Sequence, residues 1–207
     1  MFFEISDRIK ELSKVALEKA SPIFKGIDEL TEYNQQKVLS AFIRNRVDET
    51  DFNNSTGYGY GDKGREKLDM LTADIFGAES AIIRAGALAS GTHTLAVCLY
   101  GILRPNDVML CVSGTPYDTL HSTIGLGGKN MGDGTLADFG VHYQQIDLTE
   151  NDELDYDAIE ECASDKAVRM VYIQRSRGYS LRHTISVDEI EKVCEIVHRV
   201  NKRAIVM

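Results

Sequence analysis

The sequence predicts an α/β fold with a mainly parallel sheet covered by helices. Three observations lead there. From residue 81 onward, short apolar runs alternate with helical segments, the order expected when each strand is followed by a crossover helix. Small-residue turns, Ser90-Gly91-Thr92 and Ser113-Gly114-Thr115-Pro116, punctuate that alternation. With 207 residues, 43% hydrophobic and 27% charged, the chain is long enough to bury a sizeable core.

The elements follow in order. Residues 5–19 and 28–46 predict two amphipathic helices, and in the second Leu30, Tyr33, Val38, Leu39, Phe42 and Ile43 can share one side. The polar, then Gly- and Tyr-rich stretch from Asp51 to Asp62 predicts a loop, and residues 64–76 a helix with Leu68, Leu71 and Ile75 on one face. Strands are predicted at 81–84, 107–112, 141–146, 169–173 and 204–207, with helices at 91–102, 116–124, 155–163 and 187–200. Ser186 with Glu189 three residues on forms a capping box that starts the last helix. The glycine-rich stretch from Gly125 to Thr135 predicts a mobile, exposed loop. The apolar run 204–207 has no turn signal after it. It predicts a strand that stops mid-run, in a protein missing its second half, with an open sheet edge prone to association.

A net charge of −9 argues against a nucleic-acid surface, which needs a basic face. Cys98, Cys111, Cys162 and Cys194 form no CxxC pair and lack zinc-ligand spacing with any histidine. Cys98 and Cys111 lie in apolar runs, which predicts buried free thiols, and a reducing cytoplasm is the expected compartment. No signal peptide or membrane span is expected. The histidines show no HExxH, so no metal site is expected, and there is no GxSxG elbow.

Several stretches carry chemistry. Ser90-Gly91-Thr92 opens an apolar segment, Thr94 to Leu103, that predicts a buried helix. Its first N–H groups and the helix dipole suit a phosphate; an ordinary serine N-cap is the alternative. Tyr117 follows a strand at its carboxyl end, where open α/β sheets bind ligands, and can stack on a planar ring or simply pack at the surface. In the stretch 174–179, QRSRGY, two arginines and a serine can hold anionic or phenolic oxygens, or form a solvated basic loop. Residues 59–64 match GxGxxG literally, but the polar run 53–56 precedes them instead of a strand. A loop exposing Tyr58 and Tyr60 describes them better.

Taken together, STGYGYGDKGREKLD, FGAESAIIR, SGTHTLA, LRPNDVML, PYDTLHSTIG and IQRSRGYSLR resemble the aluminium-resistance or methionine gamma-lyase-like family. These are fold-type-I pyridoxal-phosphate enzymes related to cystathionine lyases. The resemblance runs from about Asn34 to the end of the chain. It implies the first part of an aspartate aminotransferase-type large domain over residues 57–207, after an N-terminal helical segment over 1–56.

The resemblance also implies roles. Ser90, Gly91 and Thr92 would hold the cofactor phosphate, and Tyr117 would stack on the pyridine ring. Ser176 and Arg177 would lie near the cofactor's hydroxyl edge. Tyr58 or Tyr60 would lie near a phosphate, that of a neighbouring subunit in a homodimer or homotetramer. The resemblance places the aspartate that pairs with the ring nitrogen at the end of the next strand, of which 204–207 would be the beginning, and the Schiff-base lysine further on, so both are expected beyond Met207. Lys166, Lys192 and Lys202 fall on or beside surface helices and read as solvated charges. The function expected is β- or γ-elimination from a sulfur amino acid of cystathionine or methionine type, with these 207 residues inactive alone. The alternatives are a non-catalytic folded fragment, and other pyridoxal-phosphate chemistry such as that of an aldolase or aminotransferase.

Overall fold

The computed structural model describes residues 4–56, 58, 60–84, 86–127 and 132–207. The chain forms two compact units, residues 1–87 and 88–207.

The first unit is helical. One 38-residue helix, α1 (Asp7–Arg44), takes the place of the two predicted helices. Pro22 sits inside it. Proline costs one backbone hydrogen bond, but strong helix formers on both sides keep the helix running. The apolar side predicted for residues 28–46 does not face a core: Leu30, Tyr33, Leu39 and Ile43 are exposed, and Ala41 is the buried residue of α1. A short 3-10 turn (Glu49–Phe52) precedes α2 (Lys63–Phe76), which starts at an Asp62 cap and ends at Gly77 in the left-handed region. Arg44 Nη2 and Asn45 Nδ2 both donate to the Asp74 carboxylate at 2.8 Å, pinning α1 to α2. The predicted strand at 81–84 does not form. Its Ile83 N–H and Arg84 guanidinium bind the Asp69 carboxylate instead, each at 2.8 Å, so a carboxylate replaces the strand partner this segment would need.

The second unit is the α/β fold. After α3 (Gly91–Ile102) come β1 (Val108–Cys111), α4 (Asp118–Ile124), β2 (His142–Gln145), α5 (Tyr156–Ala163), β3 (Val168–Tyr172), α6 (Val187–Val200) and β4 (Ile205–Val206). The sheet is parallel throughout, in the order β2-β1-β3-β4. Alternation along β1 splits the core. Val108, Leu110 and Val112 pack with Ile159 of α5 and Val193, Ile196 and Val197 of α6. Met109 and Cys111 pack with Leu99 of α3 and with Leu120 and Ile124 of α4. A register irregularity at the start of the β1–β3 pairing leaves Arg169 without a partner on β1. That extra residue puts Val168 and Val171 in one core cluster and Met170 and Tyr172 in the other. The Ser186–Glu189 capping box starts α6 as predicted. Within the predicted loop 125–135, residues 128–131 lie outside the described residues.

α3 is less buried than its composition predicts: only Leu99 is buried, and Cys98 is exposed, which corrects the expected buried thiol. Its apolar residues cover the sheet along one stripe and the rest face outward. Cys111 is buried as expected, and burial pushes its thiol up to about 12. No helix among the described residues is long and apolar enough to cross a membrane.

Candidate functional site

The carboxyl ends of β1 and β3 lie side by side, because the two strands are neighbours running in one direction. Loops leaving parallel strands at that end converge, and here they bring Tyr117 beside the turn that holds Ser176 and Gly178.

Ser90 is the N-cap of α3, and its hydroxyl accepts the His93 N–H at 3.1 Å. The serine is therefore a true cap, and capping leaves the Gly91 and Thr92 N–H groups without intrahelical partners by their position. Nothing lies within 4 Å of where a Gly91 β-carbon would stand, so this turn is open on that side. Thr92 Oγ1 donates to Thr119 Oγ1 at 3.0 Å. Thr119 is in the first turn of α4, two residues after Tyr117, so this bond joins the start of α3 to the start of α4.

Tyr117 is the N-cap residue of α4 and has no side-chain capping bond. Its ring packs against Gly178, where a β-carbon would come within 3.2 Å of Tyr117 Cε2. Gly178 has a φ of +57°, in the left-handed region. Tyr179 follows, with its ring centroid 6.4 Å from that of Tyr117 at an interplanar angle of 30°. The neighbouring Tyr179 phenol holds the Tyr117 phenol above its ordinary value.

Ser176 and Arg177 lie in the exposed turn after β3. The Ser180 N–H and hydroxyl both donate to the Arg177 carbonyl, at 3.0 and 2.7 Å. Two neighbouring arginines, Arg175 and Arg182, are structural. Arg175 Nε donates to the Ile185 carbonyl at 2.9 Å, and Arg182 Nη2 to the Gln174 and Ser176 carbonyls at 2.8 and 3.0 Å.

Tyr58 and Tyr60 belong to the first unit and are 83% and 89% exposed. Gly59, the first glycine of the GxGxxG match, lies outside the described residues, and no strand precedes it among those described. Asp62, in the same stretch, is buried and accepts from Arg65 Nε at 2.9 Å and Ser55 Oγ at 2.9 Å. Lys192 lies over the Tyr156 ring at 3.6 Å, and Lys166 and Lys202 are exposed. No cluster of three metal-ligating side chains occurs among the described residues.

The sequence did not single out Ser113, Thr119, Gln174 or Gly178, which tie the site together. Their neighbours drew attention instead: the parallel pairing of β1 with β3 brings Ser113 and Gln174 together, and Thr119 joins through Thr92 of α3. Chemically, the second unit offers an open helix start suited to an anion and, two residues before a hydroxyl bonded to that start, an aromatic ring backed by a glycine.

Comparison with known proteins agrees with this architecture. A carbon-sulfur lyase involved in aluminium resistance from Clostridium novyi NT has 40% identity and a TM-score of 0.91, covering 98% of this chain and 47% of its own. A candidate cystathionine beta-lyase involved in aluminium resistance from Clostridium acetobutylicum has 41% identity and a TM-score of 0.89, covering 97% of this chain and 47% of its own. The uncharacterized protein YnbB of Bacillus subtilis (strain 168) is 39% identical over 199 residues, which are 94% of this chain and 46% of that protein. The chain thus spans about half the length of the relatives it matches. The methionine gamma-lyase family model matches residues 9–207, and the chain belongs to that family.

Proposed function

We propose that this chain supplies the phosphate-binding turn and the ring-stacking face of a pyridoxal-phosphate-dependent carbon–sulfur lyase acting on sulfur amino acids. The single observation that carries this reading is the Thr92–Thr119 hydrogen bond, at 3.0 Å. It fixes an anion-suited helix start beside the turn that presents Tyr117. The fit to the cofactor rests on that open turn and on the close approach of Gly178 to the Tyr117 ring.

In this reading the Gly91 and Thr92 N–H groups, with the Ser90 hydroxyl, hold the phosphate. The Tyr117 ring supports one face of the pyridine, and Ser176 and Arg177 attend its hydroxyl edge. Pyridoxal phosphate, when bound, supplies an electron sink that lets a proton leave the α-carbon and a thiol leave the β- or γ-carbon. Residues 1–207 bind and orient. The amine that engages the cofactor comes from a lysine outside them, so these residues alone do not turn over.

We also assign the protein to a homodimer or homotetramer, with Tyr58 or Tyr60 reaching a neighbour's phosphate. The exposed apolar residues of α1, among them Ile23, Ile27 and Leu30, support such an interface. Residues 57–207 correspond to the first part of the large domain and 1–56 to the segment before it.

The test is release of a thiol and a 2-oxo acid from cystathionine or methionine by a protein of the relatives' full length. Release that requires pyridoxal phosphate supports the reading. A purified protein that neither binds pyridoxal phosphate nor releases thiol would sink it.

A further inference from the structure

Two loops carry the site in the second unit, and one side chain joins them. Gln174 lies two residues past the end of β3. Its Oε1 accepts the Tyr117 N–H at 2.6 Å, and its Nε2 donates to the Ser176 carbonyl at 3.2 Å. Its own N–H donates to Ser113 Oγ at 2.8 Å, and Ser113 is buried just past β1. Arg182 clamps the same turn through the Gln174 and Ser176 carbonyls.

The chemistry of this bracket is specific. As the N-cap residue of α4, Tyr117 has an N–H that the helix cannot satisfy. Gln174 satisfies it with one end of its amide and holds the Ser176 turn with the other. The bracket needs an acceptor and a donor on one side chain of this length. An ionised glutamate supplies only acceptors, and methionine supplies no strong partner of either kind. Because Gly178 lies on the Tyr117 ring, whatever moves the Ser176 turn also moves the surface against which that ring rests.

We infer that Gln174 is a positioning residue of this site, setting where the Tyr117 ring stands relative to the Ser176–Gly178 turn and so how a planar phosphorylated ring is stacked. The inference rests on the proposed pyridoxal-phosphate reading.

The experiment compares the protein carrying this chain with its Gln174→Met and Gln174→Glu variants, using pyridoxal phosphate as probe. Three quantities are read: affinity for the cofactor, visible circular dichroism per bound cofactor, and amide hydrogen exchange at Tyr117 without cofactor. Gln174→Met is expected to speed Tyr117 exchange, weaken affinity about fivefold to tenfold as a lost hydrogen-bond pair does, and change the dichroism per bound cofactor. Gln174→Glu is expected to keep Tyr117 protected while speeding exchange at Gly178 and Ser180, and to weaken affinity about threefold.

Faster Tyr117 exchange in Gln174→Met with unchanged affinity and dichroism overturns the positioning role and leaves the cofactor reading standing. Absence of binding by the unsubstituted protein overturns the cofactor reading, and the positioning role with it. Should Gln174→Met fail to fold, Gln174→Glu decides, and affinity and dichroism equal to the unsubstituted protein overturn the inference.

Discussion

Gly178 lies against the ring of Tyr117, so closely that a β-carbon there would approach Tyr117 Cε2 to 3.2 Å. The contact joins the turn after β3 to the start of α4. Residue 178 also has a left-handed φ of +57°, a conformation that glycine adopts without cost. Gly178→Ala adds a methyl group and strains the backbone together. The expected result is a loss of about 1–2 kcal/mol of stability and a weaker affinity for pyridoxal phosphate. Denaturant unfolding and a cofactor titration check it, and unchanged affinity would show that the ring does not bear on the ligand.

The core splits into two clusters on the two faces of β1, so a residue pointing to one face should act through that face's helices. Leu110 is fully buried between β1 and the α5–α6 layer. Leu110→Ala is expected to cost about 2–5 kcal/mol, measured by denaturant unfolding. A cost under about 1 kcal/mol would mean that the side chain is not enclosed as described.

The α6 capping box carries a pH dependence with a definite sign. The Glu189 carboxyl is held below its ordinary value, first by the Ser186 N–H at 2.7 Å and then by His183 at 3.0 Å. In the unfolded chain Glu189 takes up a proton at a higher pH than in the folded chain. Its contribution to stability is therefore fully present above the ordinary carboxylate value and is lost as pH falls through the lower folded value. Unfolding midpoints measured down that acid range should fall less steeply for Glu189→Gln than for the unsubstituted chain. Parallel curves would contradict the assignment.

Thiol reactivity separates the cysteines. Cys111 is buried, with its thiol pushed up to about 12, so it should resist iodoacetamide until the fold opens. Cys98 is exposed on α3 and should react first. Peptide mapping after brief labelling of the folded chain reads both, and prompt labelling of Cys111 would contradict the packing.

Much of the α/β unit was legible in the sequence because its signals are local. The predicted helix at 91–102 and the capping box of α6 coincide with the structure, since small turns and cap residues mark where helices start. The first unit was less legible. Two helices, 5–19 and 28–46, were expected, and strong helix formers on either side of Pro22 join them in the single helix α1. The run 81–84 has strand composition, yet whether it pairs depends on partners that no local pattern encodes. Here Asp69 takes its backbone and its arginine. In the site, Ser90, Thr92 and Tyr117 stood out because turn and aromatic chemistry is visible residue by residue. Gln174 and Thr119 did not, because their importance lies in contacts between segments far apart in sequence, 57 residues apart for Tyr117 with Gln174.

The most direct measurement is borohydride reduction of the protein, purified from its natural source with pyridoxal phosphate, followed by peptide mass mapping of the modified lysine. The account predicts one specific lysine outside residues 1–207. Specific modification of Lys166, Lys192 or Lys202, or no specific adduct at all, would contradict it.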